Sequence, residues 1–220
     1  MPVLATSLTP NALADYVGRQ IAAFFPDRDE SNAVRTVMDD ALARVEHCFS
    51  HVRIKGFWSA SGPQFNHLHT DQYAIFLYYL ANTAFRQGEL SIAAKCYALN
   101  KALHALDAFY EVELPAIFAL VHPVGTVLGR ATYGDYFCAY QNVSVGADLS
   151  DRHPDIGTGV VMYGGSRVIG AATVGNNCLI SVGATVLGGD VPTNHIAFGG
   201  HPPVVKPTKR NVRREIFKDV

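Results

Sequence analysis

Among the side chains of this 220-residue sequence that can move protons or hold ions, nine histidines and four cysteines set the chemistry on offer. Imidazole leads, because an unperturbed pKa of about 6.5 lets it take and release a proton near neutral pH. His122 follows the apolar run Ile117 to Val121 and precedes Pro123. Taken alone, such a residue reads as a satisfied structural histidine. His153 stands in the polar stretch Asp151-Arg152-His153-Pro154, where the plain reading is solvent exposure. His47 and His51 lie at i, i+4 and His67 and His69 at i, i+2, but no cysteine or acidic constellation completes a ligand set, so no metal is expected. Cys48, Cys96, Cys138 and Cys178 are scattered without CxxC spacing and read as reduced packing thiols. A thioester route through Cys138 is conceivable, and a packed side chain is the simpler reading.

Two scaffolds must position these residues. The first half reads as four helices. Thr9 before Pro10 is a cap-then-proline start, and Leu13, Tyr16, Val17, Ile21 and Phe24 recur at helical spacing until Pro26. A second helix is expected from about Ser31 to Val52, with Val34, Val37, Met38, Ala41, Leu42, Val45 and Phe49 on one face. Lys55 to Pro63, rich in glycine and serine, is expected to be a loop. Thr70 opens an apolar helix through Phe85, Gly88 breaks it, and Leu90 to Ala108 forms the fourth.

The period then changes. Ile156, Met162, Val168, Val174, Ile180 and Val186 recur at every sixth position without a slip, and Val127, Tyr133, Ala139 and Val145 keep that spacing in a more degenerate block. Glycine and asparagine follow the apolar positions, so each unit can be a short strand plus a turn. Three such strands make a triangular coil of about 18 residues, and the aliphatic side chains stack into one internal column. A helix cannot produce this pattern, because six residues turn it by about 600° and each step drifts roughly 120° out of register. The count breaks at Ala147 to Asp155, which should loop out of the prism wall as a candidate functional loop. The expected domains are residues 1–111 (helical), 112–206 (repeats) and 207–220 (tail).

Composition narrows the function classes. A 49% hydrophobic content supports a sizeable core, and a formal charge of -1 gives no electrostatic support for nucleic-acid binding. No run of about 18 apolar residues suggests membrane insertion, and Asp15 and Arg19 interrupt the first apolar segment, unlike a signal peptide. A cytoplasmic location is expected.

The segments HPVGTVLG (His122 to Gly129), QNVSVG (Gln141 to Gly146) and DRHPDIG (Asp151 to Gly157) together resemble the serine acetyltransferase family of hexapeptide-repeat acyltransferases. The resemblance covers roughly residues 112 to 206. It implies an α+β fold: an N-terminal helical domain followed by a left-handed parallel β-helix. It also implies acetyl-CoA-dependent O-acetyl transfer. By this resemblance His122 is the general base, and Arg152 and His153, with Asp151 beside them, hold the acceptor. Glu113 of VELP resembles the family's acidic residue that orients the base, with Glu111 the near alternative. Asp71 is the candidate for a second acidic contact from the helical domain. The family's aspartate directly before the first histidine is Val121 here, which leaves the acceptor open between serine and a sugar hydroxyl.

For acetyl-CoA, the resemblance points to turn residues such as Gly164, Gly183 and Ala184 and to FGGHPPVVKP, residues Phe198 to Pro207, with Gly200 and Lys206. Lys206, Lys209 and Arg210 could supply charge for phosphates, against a solvated basic tail as the plain reading. The family also implies a homotrimer with shared sites, or a dimer of trimers. From another class, a catalytically silent β-helix scaffold remains an alternative.

Overall fold

A computed structural model describes residues 4–28 and 30–218; residues 1–3 of the expected helical domain, Asp29, and residues 219–220 of the expected tail lie outside the described residues. The helices are α1 (Pro10–Phe24), α2 (Ser31–Ser50), α3 (Thr70–Arg86), α4 (Leu90–His104) and a short α5 (Arg213–Ile216). Thr9 caps α1 by accepting from the Ala12 N–H, with Pro10 in the first turn, where a missing N–H costs nothing. The apolar stripe expected on α2 is buried from Val34 to Phe49. Helix α3 is buried all round from Asp71 to Ala84, which makes it the central rod of the helical domain. Helix α4 ends at His104, short of the expected Ala108, because Ala105 adopts a left-handed φ of 52° that ends the helical turn.

The segment expected as a loop carries β-structure. Strands β2 (Trp58–Ser59) and β3 (Gly62–Phe65) pair antiparallel, and β1 (Ala5–Thr6) adds parallel to β3. Tight turn residues joined two short strands there rather than leaving an open loop.

The second half is a parallel β-helix. One face stacks β4 (Phe118–Leu120), β7 (Phe137–Ala139), β10 (Val161–Met162), β12 (Leu179–Ile180) and β14 (His195–Phe198). A second face stacks β5 (Val127–Leu128), β8 (Ser144–Gly146) and the first parts of β11 (Arg167–Val174) and β13 (Thr185–Val191). The third stacks β6 (Thr132–Tyr133), β9 (Asp155–Ile156) and the ends of β11 and β13. Ile156 with Val174, Met162 with Ile180 and Val168 with Val186 are register partners on successive coils, as the repeat requires. All six are buried to 2% exposure or less, and each such side chain contributes about 1.5–3 kcal/mol to the column.

One coil earlier the partners Ala139 with Met162 and Val145 with Val168 are farther apart along the chain, because residues 147–154 are extruded between β8 and β9. The inward residue of the first coil on the second face is not Val127, which is 41% exposed, but Leu128, at 1% and in register with Val145. With alternating side chains, a one-residue slip exchanges the inner and outer sets.

Strand β15 (Val204–Pro207) turns back antiparallel on β14 and closes that end. The following segment returns to the helical domain: Arg53 N–H donates to the Ile216 carbonyl, Val52 bridges Phe217, and Lys218 N–H donates to the His51 carbonyl. Val212 N–H donates to Asn177 Oδ1, and Val212, Ile216 and Phe217 are buried, so the end of the tail packs on the body, while Lys206, Lys209 and Arg210 are exposed, with Arg210 paired to Glu215. All four cysteines are free and buried.

Candidate active site

His122 lies in the turn from the first face to the second, just after β4. Its φ of 49° is a left-handed conformation uncommon outside glycine, and the turn around it is held by Val124 N–H to the His122 carbonyl (2.7 Å) and Gly125 N–H to the Ala105 carbonyl (3.0 Å). The imidazole is thereby presented outward, 79% exposed, with Nδ1 3.8 Å from Asp71 Oδ2. That separation is electrostatic contact rather than a hydrogen bond. Asp71 is 10% exposed on its side chain and sits in the first turn of α3, where the helix dipole favours a carboxylate.

Behind Asp71, buried His104 donates from Nδ1 to Asn100 Oδ1, since the Asn100 amide is oriented by its own donation to the Ala74 carbonyl. Burial holds the His104 pKa below the usual histidine range, against a smaller upward pull from Asp71.

Glu113, expected to orient His122, instead pairs with Arg86 at the end of α3. The carboxylate set beside His122 is Asp71.

The loop 147–154 leaves the next corner, between the second and third faces. Asp148 is its hub: Oδ1 accepts from Ser150 N–H (2.8 Å) and Arg152 N–H (3.2 Å), and Oδ2 from Arg152 Nε (2.7 Å). The Arg152 guanidinium, first among several donors, holds the Asp148 carboxyl below the usual carboxylate range. The hub packs on the following coil, since a Cβ on Gly170 would meet Asp148 Oδ2 at 2.9 Å. Asp151 takes a left-handed φ of 57° and approaches His153 Nε2 at 3.5 Å, while His153 Nδ1 is buried without a partner. The sequence reading missed Asp148, although Asp-x-Ser is a local side-chain-to-backbone turn signal.

No hydrogen bond or ion pair among the described residues joins the His122–Asp71 pair to the 147–154 loop. The two clusters occupy different corners of one prism.

Below His122, the turns of its corner stack coil upon coil: Asn142 N–H donates to Val124, Gly165 to Gln141 and Gly183 to Gly164. Positive φ at Gly165 and Gly183 lets these turns close. A side chain at Gly183 or Gly200 would meet nothing, so that edge is open, while one at Gly164 would meet the Gln141 amide. Ala184 is fully buried and its N–H already donates to Ser181, which leaves it behind the turn. Lys206 lies on β15 with Nζ 5.6 Å from the Phe198 ring centroid. Among the described residues no group of three potential metal ligands occurs, and no helix is long and apolar enough to cross a membrane.

The chain is a helical domain leading into a hexapeptide-repeat parallel β-helix, with an exposed histidine at one prism corner, and this is the architecture of the acyltransferases it resembles. In sequence and in fold it is serine acetyltransferase-like. Serine acetyltransferase from Helicobacter pylori is 29% identical over 131 residues, 58% of this chain and 76% of that one. The enzyme of the same name from Synechococcus elongatus is 37% identical over 82 residues, 36% of this chain and 33% of that one. Among solved structures, serine acetyltransferase from Neisseria gonorrhoeae superimposes with a TM-score of 0.73 at 18% identity, covering 91% of this chain and 80% of that one. That from Brucella abortus gives 0.70 at 20% identity, covering 91% and 84%. No protein-family model matches the chain.

Proposed function

We propose that the protein is an acetyl-CoA-dependent O-acetyltransferase acting on the hydroxyl of a small-molecule acceptor, by direct transfer. The acceptor oxygen attacks the thioester carbonyl, His122 takes the hydroxyl proton, and the coenzyme A sulfur leaves and receives that proton. The supporting observation is His122 itself: outward, facing a mostly buried carboxylate, at the head of a stack of turns whose edge is open at Gly183 and Gly200. Asp71 stabilises the imidazolium that forms during attack. The acyl-CoA arm would lie along the edge at Gly164, Gly183 and Gly200, with Lys206 toward the phosphates.

His153, Arg152 and Asp151 would orient the acceptor. Since one chain keeps that loop away from His122, the complete site combines the His122 corner of one subunit with the 147–154 loop of the next, in a homotrimer. Pairing of trimers through the helical domains would give a hexamer. Val121, a half-buried apolar residue beside the base, cannot hold an ammonium group, which favours a sugar hydroxyl over serine as acceptor.

The test is free-thiol release from acetyl-CoA with L-serine and with a panel of sugars and nucleotide sugars, wild type against His122→Ala. Sugar-dependent release lost in the variant supports the reading in full. Serine turning over far better than every sugar removes the sugar version. Silence with all acceptors leaves a non-catalytic scaffold. Light scattering checks the assembly, and an active monomer would overturn the shared site.

A further inference from the structure

The helical domain carries a second pocket, remote from His122, of about 300 Å³, within the size range of small-molecule sites. It opens between α2, α3 and the chain entering β4. Arg44 from α2 and Arg86 from α3 line it with His47, Tyr79, Leu114 and Ala116. Arg44 is held rigidly. Its guanidinium lies 4.7 Å from the Tyr79 ring centroid and donates to Thr83 Oγ1 and Asn82 Oδ1, both at 2.8 Å, and the Asn82 amide is anchored on the Tyr110 carbonyl. Every one of these acceptors is neutral. Among the described residues the nearby carboxylate of Glu113 is taken by Arg86, so the Arg44 charge has no ion-pair partner. Burial, and secondly the neighbouring Arg86 charge, lowers the Arg44 pKa, as expected for a cation partly withdrawn from water without a counter-charge. A planar guanidinium fixed in this way is suited to bidentate contact with a carboxylate or phosphate.

We infer that this pocket binds a small organic anion, its carboxylate or phosphate held by Arg44 with His47 at the mouth and its apolar part against Tyr79, Leu114 and Ala116. The site is separate from acetyl transfer and does not depend on that reading. Both sites nevertheless draw on α3, which presents Tyr79 and Arg86 to the pocket and, about 12 Å from Tyr79 along the same buried helix, Asp71 to His122.

The experiment is calorimetric titration of the full chain with inorganic phosphate and with succinate, against chloride at matched ionic strength, with no acetyl-CoA present. Saturable binding of either anion is expected, weakened about tenfold or more in Arg44→Gln and less in His47→Ala, whose surface position spares the fold. Preference for phosphate or for succinate identifies the headgroup. Absence of saturable binding, or affinity unchanged in both variants, overturns the proposal. So does loss of assembly in Arg44→Gln without any anion binding, because a neighbouring subunit's carboxylate would then be the occupant.

Discussion

The two corners of the β-helix that carry the candidate chemistry are built in opposite ways. The 147–154 loop is self-contained: Asp148 ties Arg152 at i, i+4, and a single carboxylate gathers two backbone N–H groups and a guanidinium. The His122 corner is assembled from afar, with the imidazole on a β-helix turn and its carboxylate on α3 of the helical domain. The first can keep its shape from local hydrogen bonds. The second exists only if the helical domain docks in one orientation on the prism, which the buried α3 and the returning tail enforce. The proposed base, His122, therefore depends on tertiary packing for its carboxylate partner, while the proposed acceptor loop is held mainly by hydrogen bonds within its own short sequence.

Substitutions at the two corners test this difference. His122→Ala should have the largest effect, lowering kcat by about 10²–10⁴-fold in thiol-release assays, the usual contribution of a general base. A loss below tenfold would take the base elsewhere. Asp148→Ala should come next, lowering kcat/KM about tenfold to a hundredfold through displacement of Arg152 and His153, with thermal stability nearly unchanged because the Arg152 partner is exposed. Equal kinetics in the variant would mean the loop is not ordered by its hub.

Asp71→Asn should cost less, about fivefold in kcat. A charge 3.8 Å from a well-solvated imidazole is worth roughly 1 kcal/mol when the ring is protonated. A loss as large as that of His122→Ala would show that Asp71 closes to hydrogen-bond distance in the working state. The smallest effect concerns His104. Its folded pKa lies below its unfolded value, so the unfolded chain binds more protons as pH falls. Stability is complete above about pH 6.5 and declines below it through the folded pKa. Thermal melts at several pH values should show this slope reduced in His104→Gln, and an unreduced slope would place the proton uptake on another group.

Reading the chain without its fold succeeded and failed along the same division. The hexads from Ile156 to Val186 predicted the column side chain by side chain, since every hexad step returns to the inside of the prism. The prediction slipped at Val127, where Leu128 turns inward in a slightly shorter coil. Helix starts were readable at Thr9 and Thr70. The end of α4 was not, because a non-glycine left-handed residue, Ala105, leaves no mark in composition. His122, Arg152 and His153 stood out through motif likeness, and so did Glu113, but a short likeness such as VELP does not record which carboxylate the domain junction brings to His122.

Whatever is periodic or local in this protein was thus written in its residues: the β-helix, the helical first half, the extruded loop and the histidine at its turn. Hydrophobic period and turn chemistry act over a few residues and repeat, so they can be read without knowing the fold. The folded chain alone settled which carboxylate faces His122, why Glu113 is occupied by Arg86, how the tail returns to the helical domain and where Arg44 stands without a counter-charge. Each of these depends on how two rigid bodies dock, and the burial that fixes their docking is summed over dozens of non-directional contacts that no short stretch of sequence records.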